Sequence, residues 1–328
     1  MARHARELTV VLKGHAYSEE ALAHFPKAAA LLNKGKAGDI MLPPGSDALL
    51  FDLFGISLRD DRDIPVAAVT RLLDLGVVDK GWWLRADPVH LVPGRKGLLM
   101  VANQELELSN AESEDLVKEI AAAVLDEGWI LKAPNPHRWY LKPSSVPDIT
   151  TTPLDVVMGK DIDAFLPDGD DARNWHTRLN EIQILLHTSK INEKREANNR
   201  LTVNSVWFWG GGTLPQLGSS SWSSVSSDDV VALALARLSD TPHKKLPSAF
   251  AQWLEQSTPG HHLVVFGKNQ ITEFLAEGDA GWIEPLSEAL KQKRLSSLTV
   301  YFDNSRKIVI RPDNLKPRWN WRFPFSRS

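Results

Sequence analysis

The stretch from Trp175 to Gly212, WHTRLNEIQILLHTSKINEKREANNRLTVNSVWFWGGG, is the part of the chain densest in groups able to bind ligands or move protons. If Asn174 to Ser189 forms one helix, His176, Asn180, Gln183 and His187 fall at i, i+4, i+7 and i+11 along a single face. Trp175, Leu179, Ile182 and Leu186 make a separate apolar stripe at the same spacing. Amides and imidazoles hydrogen-bond in both directions, which points to a recessed, partly dry site. The competing reading is a polar helix face satisfied by neighbouring loops. Asn192 and Arg195 follow across a polar loop. Asn204 then opens a strand that carries Trp209 and ends at Gly210-Gly211-Gly212.

Two further constellations could carry chemistry. In Arg85-Ala86-Asp87-Pro88-Val89-His90, a strand end delivers Arg, Asp and His into a loop. Asp87 and His90 could act as a base and its partner, or both could bind a metal. Equally, Asp87 could accept backbone N–H groups in a structural turn before Pro88. In Arg138-Trp139-Tyr140 the guanidinium could grip a carboxylate or phosphate, or stack on tryptophan in a structural role. The run GGGTLPQL is neither a P-loop nor a dinucleotide-binding turn, and HExxH, GxSxG and EF-hand patterns are absent. His261 and His262 are adjacent in a strand, so they face opposite sides and do not share a metal.

The elements that must position these groups interleave. A helical segment at 18–33 has Ser18 as its cap and is split by Pro26; a second helix at 65–76 ends at Gly76. Strands follow at 81–85 and 98–102, then a helix at 112–127 and a hairpin 129–132/138–141 turned by APNPH. The loop 142–171, broken by several prolines, is long enough to suggest function. Later come a strand at 203–209, a helix at 228–238 capped by Ser227 or Asp228, a helix at 248–256 and a strand at 262–266. A helix at 282–292 and a hairpin 297–302/307–311 turned by Asp303–Arg306 close the pattern. Without a strict βαβ rhythm, the fold class is mixed α/β, a mixed sheet flanked by helices. The expected organisation is a mainly helical region, 1–76, packed on an α/β core, 77–328.

The chain has 328 residues, a formal charge of -3 and no cysteine. Disulfides, thiol nucleophiles and cysteine-based metal sites are excluded. The charge provides no general attraction to nucleic acid or to an acidic membrane, although 311–327 could form a local basic patch. The apolar run Leu8–Leu12 is too short for a signal-peptide core or a membrane span. The expectation is a cytoplasmic protein without nucleic-acid or membrane partners; a protein partner is left open. Twelve tryptophans against three tyrosines suit core and pocket walls, with an aromatic carbohydrate platform as the rival reading.

ADPVHL (86–91), RWYL (138–141), NEIQILLH (180–187), VNSVWFWGGG (203–212) and GDAGWIEPL (278–286) resemble the RpfE-type regulatory protein family. The resemblance covers most of the chain and is weakest over the first 60 residues. Members of that family are often labelled cofactor-independent phosphoglycerate mutases. The run 185–215 is also similar to a segment of the archaeal-type mutases, matching at His187, Asn192, Arg195, Asn204 and Trp207 or Trp209. That similarity implies an alkaline-phosphatase/phosphoglycerate-mutase-like fold. Such enzymes use a two-metal centre and a Ser or Thr nucleophile, with an early Asp-Gly, an Asp-x-x-x-His and a late Asp-His-Gly. This sequence has none of these motifs.

The resulting expectation is a mutase-like protein with a regulatory or ligand-sensing role. It would hold an anionic, phosphorylated small molecule through Arg138, His187, Asn192, Arg195 and Asn204. Arg85, Asp87, His90, His176, Asn180, Gln183, Trp209 and Gly210 are further candidates. No cofactor is evident; a divalent metal enters only with the alternative, an active mutase (an isomerase). A structural interaction scaffold is the third reading.

Overall fold

The computed structural model describes residues 6–14, 19–59, 61–95, 97–276, 278, 281–303 and 306–316. The expected Ser18 cap, the turn residues Asn304 and Ser305 and the basic tail beyond 316 lie outside these residues. In chain order the strands are β1 (Arg6–Leu12), β2 (Lys36–Asp39), β3 (Trp83–Pro93), β4 (Leu98–Ala102), β5 (Ile130–Asn135), β6 (Arg138–Lys142), β7 (Ser205–Gly212), β8 (Ser224–Ser227), β9 (His243–Lys244), β10 (Gly260–Phe266), β11 (Leu295–Phe302) and β12 (Arg306–Ile310). The chain divides into two compact units. One comprises 1–40, 222–228 and 244–328, the other 41–221 and 229–243. This division does not coincide with the expected boundary at residue 76. The reason is β1, read from sequence only as a short apolar run.

In the first unit the sheet order is β2-β12-β11-β1-β10-β8-β9. β1 pairs in parallel with β10 on one edge and β11 on the other, while β12 and β2 add antiparallel strands. The N-terminal region therefore supplies an inner strand of the sheet. Leu8, Val10 and Leu12 alternate into an apolar cluster with Phe250, Trp253, Phe266, Phe274 and Trp282. Phe266 meets Trp282 edge to face at 5.0 Å, which accounts for two of the aromatic residues as core. His261 is exposed and His262 buried, on opposite faces of β10 as expected; His262 is held by Ser224 Oγ at 2.8 Å and the Thr258 carbonyl at 2.7 Å.

In the second unit β3 is the spine. It pairs antiparallel with β7 along one edge, and with β6 then β4 along the other. The sequence pattern suggested a strand ending at Arg85. The strand instead runs on through Pro88, which the pairing geometry tolerates. The Pro88 carbonyl accepts the Asn103 side-chain amide at 2.7 Å, on the edge beyond the β3–β6 pairs and ahead of β4, so the missing N–H breaks no ladder bond. Leu84 and Ala86 face a cluster with Trp139, Leu141, Phe208 and the apolar stripes of helices Asn110–Ala123 and Ala172–His187. The first of these helices starts on a capping box, Ser109 with Glu112. Arg85, Asp87 and Tyr140 share the opposite face of the sheet with Trp83 and Trp209, because residues two apart in a strand point the same way.

The helix Ala172–His187 matches the expected one closely. The polar loop expected after it is a second helix, Lys190–Ala197, capped by Ser189, whose hydroxyl accepts the Ile191 N–H. Helix Val230–Leu238 takes its cap from Asp229, not from Ser227 or Asp228. Among the described residues, no helix is long and apolar enough to cross a membrane.

Candidate functional site

The second unit gathers most sequence-selected residues into hydrogen-bonded networks. Asp87 is 1% exposed. Its carboxylate accepts Arg85 Nε at 2.9 Å and Nη2 at 2.7 Å, the Trp139 backbone N–H at 3.1 Å and Trp209 Nε1 at 2.8 Å. Burial pushes this carboxyl upward, and the Arg85, Trp209 and Trp139 contacts oppose the push. The Arg85 guanidinium also lies 5.3 Å from the Tyr140 ring centre and 5.1 Å from that of Trp209.

Beside it, Arg138 donates to both oxygens of Asp74, at 2.7 and 2.5 Å, and the Tyr140 hydroxyl donates to Asp74 at 2.5 Å. Burial raises the Asp74 carboxyl, yet the Arg138 and Tyr140 bonds outweigh it and hold the group below its usual range. Burial drives the Tyr140 phenol upward, so it stays protonated and donates.

The remaining candidates fasten backbone. Asn192 donates to the carbonyls of Leu186 and Val203 and accepts the Val203 N–H at 3.0 Å. Arg195, 1% exposed, donates to Leu201 O at 2.7 Å, Glu112 at 2.8 Å and Leu106 O. Asn204 exchanges two 2.7 Å bonds with the Leu91 backbone, imitating a strand partner. His90 donates Nδ1–H to the Thr202 carbonyl at 2.8 Å. The four polar residues of helix Ala172–His187 do not form one recessed strip. Asn180 and His187 are exposed, His176 donates to Pro167 O at 2.8 Å, and Gln183 donates to Ser205 Oγ at 3.1 Å.

A cleft of about 250 Å³ does open in this unit, at a place the residue-type density did not mark. Its walls come from the connection after residue 41 (Gly45, Arg59, Arg62, Asp63), from Thr150–Pro153 and from Trp209 and Gly210. Of the sequence-selected residues, only Trp209 and Gly210 line it. Asp63 accepts the Thr151 N–H at 2.7 Å, the Thr151 hydroxyl and the Gly211 N–H at 3.1 Å. Burial nevertheless pushes its carboxyl upward. Thr151 Oγ1 in turn accepts the Gly210 N–H at 3.1 Å. Gly210 has φ +66, and a Cβ there would sit 3.1 Å from Val66, so the residue type is set by the turn.

Arg59 and Arg62 are exposed on this cleft, and neither guanidinium meets a carboxylate among the described residues. The signals available in the sequence were the RDDRD run in a Gly- and Pro-rich connection and the long loop 142–171. Connections of that length tend to be functional. The cleft can offer two guanidinium groups and the Thr151 hydroxyl beside two carboxylates, Asp47 and Asp63, the second already fixed by its own donors.

In the first unit, the C-terminal ends of parallel strands β1, β8 and β10 lead into Lys13-Gly14, Asp228 and Gly267-Lys268. Ligands of open α/β sheets commonly bind at such ends. Asp228 accepts Gln270 Nε2 at 2.9 Å. Among the described residues, no three His, Cys, Asp or Glu side chains stand together as metal ligands, so these residues do not fit a two-metal centre.

No family model matches the chain. A probable 2,3-bisphosphoglycerate-independent phosphoglycerate mutase from Geobacter sulfurreducens is 25% identical over 229 residues, 64% of this chain and 57% of that protein. The corresponding mutase from Methanosarcina mazei is 23% identical over 205 residues, 59% and 50% of the two chains. The chain thus spans about half the length of the curated relatives it matches. The solved structure of the PH0037 protein from Pyrococcus horikoshii aligns over 96% of this chain and 90% of its own, with a TM-score of 0.50 at 12% identity. A cofactor-independent phosphoglycerate mutase from Thermoplasma acidophilum aligns over 94% and 90%, with a TM-score of 0.42 at 18% identity. The fold is mixed α/β with sheets flanked by helices, and the chain has mutase relatives at low identity.

Proposed function

We propose that this chain is a cytoplasmic, mutase-like protein that binds an anionic, phosphorylated small molecule in the Arg59/Arg62 cleft and serves as a regulator or sensor of that ligand. One observation carries the reading: two guanidinium groups line a cleft and neither is ion-paired to a carboxylate among the described residues, Asp47 and Asp63 of the same cleft included, while every candidate arginine elsewhere in this unit is already paired. A phosphate or carboxylate is the natural complement of paired guanidiniums. The curated relatives are phosphoglycerate mutases, which makes a phosphoglycerate the first ligand to try. The RpfE-type resemblance supports the regulatory role.

The binding reading predicts that 3-phosphoglycerate raises the melting temperature while glycerol at equal concentration does not, since a ligand of the native state stabilises by mass action. Equal shifts with both would remove the anion from the account. A second reading, an active phosphoglycerate mutase, is favoured by the relatives and by the Thr151 hydroxyl donating to the Asp63 carboxylate in the cleft. A coupled mutase assay with Mn²⁺ against an EDTA-treated control separates the two. The sensor reading predicts no metal-dependent turnover.

A further inference from the structure

A second cleft, of about 410 Å³, lies between the start of β5, the loop after β6 and the helix Ala172–His187. Its volume falls in the range of about 300–1,000 Å³ usual for small-molecule sites. Trp129 and Trp175 line it, stacked at 5.3 Å between ring centres.

Buried indole N–H groups normally find an acceptor. In this unit Trp83 donates to Asp79, Trp139 to Ser113 and the Pro136 carbonyl, Trp207 to the Thr152 carbonyl and Trp209 to Asp87. Trp175, only 3% exposed, has no acceptor among the described residues. Neither does its half-buried neighbour Trp129. Half-buried Trp82 also has none, but it does not line this cleft; Trp129 and Trp175 stack on one another and are both walls of it.

The charges lining the cleft narrow the ligand class. Arg178 is occupied by the Val124 carbonyl at 2.8 Å, by Glu181 at 3.1 Å and by Asp126. No cation is left for an anion, whereas Asp126, Asp171 and Glu181 provide carboxylate acceptors. An aromatic cage for a cation needs an open ring face. One face of Trp129 is stacked on Trp175, and the Arg178 guanidinium sits 5.9 Å from its centre. What remains are N–H donors, carboxylate acceptors, and the Ser145 and Thr177 hydroxyls and the Asn174 amide, which do both.

We infer that this cleft is a binding site for an uncharged polyhydroxylated molecule, a saccharide of one or two rings. Its hydroxyl oxygens would accept the two indole N–H groups, and its hydroxyl protons would go to Asn174 and the carboxylates. The inference stands apart from the Arg59/Arg62 cleft, with which it shares no residue.

The test is a titration of the full chain with methyl α-glucoside and maltose, read by the indole ¹H–¹⁵N resonances. Trp129→Phe identifies one resonance, and cross-relaxation from it identifies Trp175. The expected result is a saturable shift of both resonances. Asn174→Ala, at an exposed position that leaves the core intact, should weaken binding by about fivefold, the worth of one neutral hydrogen bond. Choline and inorganic phosphate serve as the cationic and anionic controls. Saturable shifts with either control in place of the sugars would overturn the proposal. So would sugar titrations that leave both resonances unmoved.

Discussion

Two sets of arginines and carboxylates in the same unit behave in opposite ways. Arg85, Arg138 and Arg195 are bonded to Asp87, Asp74 and Glu112, and the six side chains hold strands, helices and loops together. Arg59 and Arg62 face a cleft, and the nearby Asp63 is engaged by Thr151 and Gly211 rather than by either of them. Density of reactive residue types along the sequence therefore marks where this unit needs internal fastening. Capacity to bind marks where charge is left over.

The largest effect expected from breaking this contrast is on Asp87. Asp87→Ala strands the Arg85 guanidinium in the interior, and loss of one partner of a buried pair costs about 3–5 kcal/mol. Chemical denaturation should show that loss, and a change below about 1 kcal/mol would mean the pair is not structural. Asn192→Ala removes three buried backbone bonds and should cost roughly 2–3 kcal/mol at about 1 kcal/mol each. If instead it left stability intact and abolished ligand binding, Asn192 would belong to a site.

A smaller effect separates the carboxylates by pH. Burial raises Glu112, but the Ser109 bonds and then Arg195 outweigh it and hold the group at about 2. Its folded pKa is depressed, so its stabilisation is present above its ordinary value and is lost as pH falls towards about 2. Asp63 and Asp87 are raised by burial, so their contribution has the opposite sign. It is present below the ordinary carboxylate value and declines as pH rises through the folded one. Glu112→Gln should flatten the acid limb of the stability profile, and an unchanged limb would show that the cap network contributes nothing there.

Much of the scaffold was legible in the sequence because periodicity and caps are local. Gly76 ends its helix in the left-handed conformation, and the hairpins at β5–β6 and β11–β12 fall where expected. What escaped depends on distant partners. Leu8–Leu12 reads as a short apolar run, and only its pairing with β10 and β11 makes it an inner strand. The RAD spacing of Arg85 and Asp87 is compatible with a turn until β7 extends the strand past Pro88. Arg195 looks like a ligand residue until Leu106, Glu112 and Leu201 close round it. The cleft arginines carried no periodic signal, because they sit in an irregular connection whose only sequence marks were length and a run of charge.

The most direct test is to titrate 3-phosphoglycerate by calorimetry into the parent chain and into Arg59→Ala/Arg62→Ala. Both arginines are exposed and unpaired among the described residues, so the double variant should keep the parent's stability within about 0.5 kcal/mol. The account predicts that its affinity falls at least about tenfold, the loss of one or more charge-assisted bonds. Unchanged affinity in a folded double variant would contradict it.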